Sequence, residues 1–156
     1  MIRVLFVCLG NICRSPMAEA VFRHKVKEAG LENRIAADSA GTGDWHIGSA
    51  PHEGTRALLD RYRIGYERMK ARQVLAADLK EYDYVIAMDS KNKKDLEALA
   101  GTGRACSIPL FMDYVPGGEG TDVPDPYFTG NFDEVYERID TGCSRLLASI
   151  REKEGL

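Results

Sequence analysis

No apolar run in the chain approaches the ~18 residues that a membrane-spanning helix needs, so a bilayer protein is not expected. The apolar stretch near the start is too short, and too uncharged in front, to read as a secretory signal, which points to a cytoplasmic protein. Cysteine is sparse: Cys8, Cys13, Cys106 and Cys143 show no CxxC spacing, and the three histidines are scattered. That excludes a disulfide framework and a zinc site, and leaves no metal or cofactor to expect. Cys106 and Cys143 lie in apolar surroundings and read as small core residues. Charge of one sign is also lacking, since the net charge is only −3, which gives no reason to expect nucleic acid or an anionic membrane as a partner. Repeats and low-complexity tracts are absent. What remains is an ordinary globular composition, 44% hydrophobic and 29% charged over 156 residues, enough for one domain over 1–156 with a substantial core.

The richest stretch runs from Val4 to Pro16. Ile2 to Val7 is apolar apart from Arg3, β-branched or aromatic, and not alternating, as a strand covered on both faces of a parallel sheet reads. Ser15 suits a helix cap and Pro16 the first helical position. Between them sits Cys8-x5-Arg14, whose six steps span roughly 20 Å if extended, yet a strand must turn into a helix there. The loop therefore has to curl, turning its amides inward. Gly10 lacks a Cβ and Asn11 tolerates left-handed angles, so the pair permits a nest that, with the helix N-terminus, suits a tetrahedral dianion. The fork of Arg14 can grip two oxygens of a phosphoryl group. Amides, helix dipole and Arg14 all favour a thiolate at Cys8, a nucleophile able to take that group.

Along the chain, Pro16–Ala29 shows helical spacing with Gly30 as its stop, Ile35–Ala40 reads as a strand, and Pro51–Tyr62 as a helix with Ala57 and Leu58 inward. Tyr84–Met88 is a second buried strand, followed by a helix through Ala100 that Asp89 or Ser90 can cap. Asp89, at the C-terminal end of that strand, is either this cap or a brace for Arg14. Ala105–Leu110 reads as a fourth strand. The long segment from Met112 to Gly130 carries Asp122, Asp125, Tyr127 and Phe128, and long loops in compact domains are commonly functional. Phe132 to Ile150 steps by three or four as a final helix that Gly142 weakens. The expected fold is α/β: a single-domain three-layer sandwich, with a four-stranded parallel sheet in order 2-1-3-4 and helices on both faces. Its ligand site belongs at the strand C-termini, where Cys8 points.

Cys8-Leu9-Gly10-Asn11-Ile12-Cys13-Arg14-Ser15-Pro16 resembles the signature of the low-molecular-weight protein tyrosine phosphatases. Asp38-Ser39-Ala40-Gly41-Thr42, Asp44-Trp45, Ala71-Arg72-Gln73, Met88-Asp89 and Asp125-Pro126-Tyr127 follow in that family's order, so the likeness covers the whole chain. The resemblance implies that Cys8 forms a phosphocysteine and that Asp125 is general acid and then base, with Asp122 as backup. It also implies that Asp44 and Trp45 stand on the pocket rim. Leu9, Ile12, Trp45, Tyr127 and Phe128 are expected to make a slot that admits a phosphotyrosine ring and is too deep for phosphoserine. Phosphotyrosine-containing proteins are the implied partners of a monomer or weak dimer.

Asn11 is expected to hold the loop's shape, and Ser15 to hydrogen-bond the Cys8 sulfur in addition to capping. Cys13 is placed to capture an oxidised Cys8 as a disulfide. In much of the family a histidine stands where this chain has Met69, and relatives that prefer phosphoarginine carry Thr where it has Ile12. Phosphotyrosine is therefore favoured, with phosphoarginine as the alternative. An arsenate reductase on this fold wants a further cysteine pair near residues 80 to 90, which the chain lacks. A phosphocysteine carrier has no use for Arg14 or Asp125, and a silent phosphate-binding module would be expected to have lost Cys8 or Asp125.

Overall fold

The computed structural model describes residues 1–101 and 108–156. Strand β1 (Ile2–Cys8) is the middle strand of a parallel sheet and leads into helix α1 (Arg14–Glu28). Strand β2 (Ile35–Gly41) pairs with one edge of β1 from Ile2↔Ile35 to Cys8↔Gly41. Helix α2 (Glu53–Arg61) and the single turn α3 (Asp78–Glu81) precede strand β3 (Tyr84–Ala87), which pairs with the other edge of β1. After helix α4 (Ser90–Ala100) come a 3₁₀ turn (Phe111–Tyr114), the short helix α5 (Pro126–Thr129) and the long helix α6 (Phe132–Glu154).

Strand alternation splits the core in two. Val4 and Phe6 face a cluster built with Met17, Phe22, Ile139 and Leu146 of α1 and α6, where the Phe6 ring meets those of Phe22 and Phe111 edge-on. Leu5 and Val7 face a second cluster with Leu79 of α3 and Leu96 of α4. The middle strand is thus covered on both sides, which is why its sequence is continuously apolar.

Four strands were expected, but among the described residues the sheet has three, in order β2-β1-β3. The predicted fourth strand lies partly outside the described residues. Of its described part, Leu110 makes one isolated parallel bridge to Ala87, beyond β3. Ala87 N–H donates to Pro109 O at 3.1 Å, but proline has no amide hydrogen to return, so pairing there does not extend into a ladder. Three further expectations shift. Helix α1 starts at Arg14 with Cys13 as N-cap and no side-chain cap, so Ser15 lies inside the helix and Pro16 at its third position. Proline is still tolerated there, because the amides of a first turn have no intrahelical partner. In α2, Thr55, Leu58 and Leu59 point inward while Ala57 is exposed.

Candidate active site

Strand β1 delivers Cys8, almost fully buried, at its C-terminal end. Asn11 takes the left-handed angle that bends the loop, with φ 57°, and its backbone N–H points back at Cys8 Sγ at 3.3 Å. Neighbouring segments strap the loop from outside: Thr42 N–H to Cys8 O at 2.9 Å, Gly43 N–H to Leu9 O at 2.9 Å and His52 N–H to Ile12 O at 2.7 Å. Gly41 permits this approach, because a Cβ there would stand 2.8 Å from Leu9 O.

Behind the loop lies a buried polar chain. Ser15 Oγ is 2.9 Å from Cys8 Sγ, and Asn11 Nδ2 donates to Ser15 Oγ at 2.8 Å and to Ser39 Oγ at 3.0 Å. The Asn11 amide cannot be flipped, because Arg72 N–H donates to its Oδ1 at 2.9 Å. With both Nδ2 hydrogens spent, Ser15 receives one and has the Cys8 sulfur as acceptor for its own. This commitment explains why Ser15 does not cap the helix. Arg72 ties this wall together through ion pairs to Asp38 at 3.1 Å and Asp78 at 2.9 Å.

Arg14 is 3% exposed at its side chain and bonds Asp89 Oδ2 at 2.8 Å and Val123 O at 2.9 Å, with Asp125 Oδ2 at 3.4 Å. Burial works against its charge, but Cys8, Asp125 and Asp89 outweigh that and hold the guanidinium firmly protonated. Asp89 does both things considered for it: Oδ2 braces Arg14, while Oδ1 caps α4 by accepting from Asn92 N–H at 2.7 Å. Asp125 caps α5, accepting from Tyr127 N–H at 3.1 Å, with Pro126 opening that helix. Asp122 instead accepts from Ser90 N–H and Oγ, both at 2.8 Å.

These elements enclose a cavity of about 230 Å³. Its lining combines Cys8, Leu9, Gly10, Ile12 and Cys13 of the loop with Trp45, His46, Asp125, Tyr127 and Phe128 from other segments. Trp45, Tyr127 and Phe128 are largely exposed, as rim residues are. Asn11, Arg14 and Ser15 are not among the lining residues, and Asp44 is not brought into the cavity. His46 was missed as a wall residue. It sits against Gly10, where a Cβ would be 3.0 Å from its ring, and 6.3 Å from the Tyr127 ring centre. Ser39 and Glu19 behind the loop were also missed, although Ser15 and Glu19, four residues apart, are buried polar positions on one face of α1. Cys13 shares the cavity with Cys8, and its thiol is pushed up to about 12 by burial, then by Asp125 and Cys8, against Arg14. Met69 is buried and lines one small void together with Asn11 and Ser39. Cys143 is fully buried, as expected, and Cys106 lies outside the described residues.

The family model described as low molecular weight phosphotyrosine protein phosphatase matches residues 3–155. The low molecular weight protein-tyrosine-phosphatase YfkJ of Bacillus subtilis is 55% identical over 156 residues, covering the whole of both chains. Its crystal structure superposes with a TM-score of 0.95 at 56% identity, covering 98% of this chain and 96% of that one. A drosophila arginine phosphatase is similar too, with a TM-score of 0.87 at 35% identity, covering 95% of this chain and 97% of its own.

Proposed function

The chain belongs to the low molecular weight phosphotyrosine protein phosphatase family and is a protein-tyrosine phosphatase, and on that premise we propose that Cys8, Arg14 and Asp125 carry its hydrolysis of phosphotyrosine. The observation that carries this reading is Cys8 Sγ facing both Asn11 N–H and the Ser15 hydroxyl, on the wall of a cavity that also contains Asp125. In the first step the Cys8 thiolate attacks phosphorus. The P–O bond to the tyrosyl oxygen breaks, and Asp125 passes its proton to that oxygen, a contribution of typically 10²- to 10⁴-fold. In the second, water attacks the phosphocysteine while Asp125 takes its proton, and the P–S bond breaks to release phosphate and free thiolate. Ser15 donates to the sulfur as it leaves, and Arg14, braced by Asp89, offsets charge on the phosphoryl oxygens.

The apolar side chains of Leu9, Ile12, Trp45, Tyr127 and Phe128 support an aryl substrate. A phosphoarginine substrate is the second reading, favoured by the likeness to an arginine phosphatase and disfavoured by Ile12 where phosphoarginine-preferring relatives carry Thr. A reducing, cytoplasmic setting belongs to the proposal because the nucleophile must stay a free thiol. Redox protection belongs to it too: peroxide converts Cys8 to a sulfenic acid, which condenses with the Cys13 thiol to a disulfide with loss of water. The test is to assay phosphotyrosine, phosphoarginine and p-nitrophenyl phosphate with EDTA, using the wild type and Cys8→Ser. Phosphotyrosine should turn over fastest, and Cys8→Ser should be inactive on all three. Residual turnover by Cys8→Ser would remove the phosphocysteine route, and faster turnover of phosphoarginine would reverse the substrate assignment.

A further inference from the structure

Trp45 is the sole tryptophan and is 68% exposed, yet its place at the cavity mouth is defined by a residue that has no side chain. A Cβ built on Gly43 would stand 1.9 Å from Trp45 Cζ3, 2.3 Å from Cε3 and 2.8 Å from Cη2, so the benzo half of the indole fills the space where any other residue would place its Cβ. Gly43 does not have a positive φ, so its backbone is one that alanine also adopts, and room for the ring is what glycine supplies here. This seat is tied to the nucleophile loop, because Gly43 N–H donates to Leu9 O at 2.9 Å and Thr42 N–H to Cys8 O at 2.9 Å. The other rim rings brace one another: Tyr127 meets His46 at 6.3 Å, His52 at 5.9 Å and Phe128 at 5.2 Å between centres, and Trp45 belongs to none of those pairs.

We propose that Gly43 is a positioning residue that sets the preference for aryl substrates: by leaving room for the indole of Trp45 it holds that ring at a fixed place beside the nucleophile loop, where it covers one side of an aryl group whose phosphoryl end sits over Cys8. The inference rests on the reading of the cavity as the phosphotyrosine site, and adds what fixes its mouth. Inorganic phosphate reaches only the loop and is indifferent to the indole, whereas an aryl phosphoryl compound meets both. A methyl group on residue 43 cannot share space with a ring atom 1.9 Å away. The ring is exposed and turns about its own χ angles, so it yields and the backbone does not. Gly43→Ala therefore keeps the N–H to Leu9 O and the phosphate cradle, while the rim moves.

The experiment compares competitive inhibition by phenylphosphonate and by inorganic phosphate, against turnover of p-nitrophenyl phosphate, in the wild type, Gly43→Ala, Trp45→Ala and the double variant. Gly43→Ala should weaken phenylphosphonate by about two- to tenfold, what one aromatic contact contributes, and leave phosphate within about twofold. The double variant should bind phenylphosphonate no more weakly than Trp45→Ala, because without the indole the methyl has nothing to displace. Emission of the sole tryptophan gives a second readout: phenylphosphonate should shift it in the wild type, and Gly43→Ala should shift it in the ligand-free protein. Equal losses for both anions in Gly43→Ala, unchanged phenylphosphonate binding, additive losses in the double variant, or an emission that responds to neither change overturns the proposal. So does a Gly43→Ala chain that fails to fold, since the methyl would then be meeting a fixed wall and not a ring that yields. Failure of the phosphatase reading would appear separately, as turnover by Cys8→Ser.

Discussion

Replacing Asp89 tests the architecture most directly, because one carboxylate holds two unrelated parts of the site together. Oδ1 caps α4 through Asn92 N–H at 2.7 Å, and Oδ2 holds buried Arg14 at 2.8 Å. Losing the cap costs about 1 kcal/mol. Losing a hydrogen bond between charged partners costs about 1.5–3 kcal/mol, little reduced by solvent here because the Arg14 side chain is 3% and that of Asp89 19% exposed. Asp89→Ala should therefore lose about 3 kcal/mol, and at roughly 2–4 °C per kcal/mol for a chain of this size its Tm should fall by about 6–12 °C. Asp89→Asn has a single oxygen, which can keep the cap, but its amide nitrogen then faces the Arg14 guanidinium as a second donor, so it should be spared only the ~1 kcal/mol of the cap. Activity should respond differently. With Asp89 gone, Arg14 is left with Val123 O and Asp125, and drawing toward Asp125 takes the guanidinium off its line while engaging the proposed acid. Misplacement by about 1 Å can cost 100-fold, so both variants should lose most of kcat/KM on p-nitrophenyl phosphate. Thermal unfolding and steady-state kinetics on the two variants read both effects. An Ala variant within threefold of wild-type kcat/KM, or Ala and Asn variants with equal Tm, would refute the reasoning.

Asp125→Asn should lower kcat by 10²- to 10⁴-fold on phenyl phosphate, whose leaving group needs a proton, and far less on p-nitrophenyl phosphate. Equal losses on both would remove Asp125 from the proton step. Gly142→Ala gains about 1 kcal/mol in helix propensity but drives a Cβ to 2.3 Å from the ring of buried Phe111, so urea unfolding should show net destabilisation. A stabilised variant would show that Phe111 can yield. Because Glu19 is raised in the folded protein, the native state holds its proton more tightly than the unfolded chain. Its stabilising effect is therefore complete below about 4.5 and lost as pH rises through about 7, a change of about 3 kcal/mol that urea unfolding of Glu19→Gln should lack.

Local chemistry was enough to read the strand, the turn and the helix around Cys8, because an apolar run, a residue that tolerates positive φ and a proline each constrain their own few residues. Capping residues likewise announced α4, and short-range periodicity α6. Contacts between distant segments were decided by tertiary structure alone. Ser15 was expected both to cap and to bond Cys8, and only the bond is made, because the folded loop brings sulfur to 2.9 Å while the helix starts one residue earlier. In the described part of the fourth strand read at Ala105–Leu110, residues 108–110, only one isolated bridge forms, since strand propensity says nothing about whether a neighbour can return hydrogen bonds, and Pro109 cannot. Asp89 looked like a cap or a brace and is both, since its two oxygens face different partners. The hydrogen-bond chain from Ser39 through Asn11 and Ser15 to Cys8 crosses between β2 and the nucleophile loop, so no window of sequence contains it. Propensity acts over a few residues, whereas the direction of a buried hydrogen bond is set by whichever donors and acceptors the fold leaves beside it.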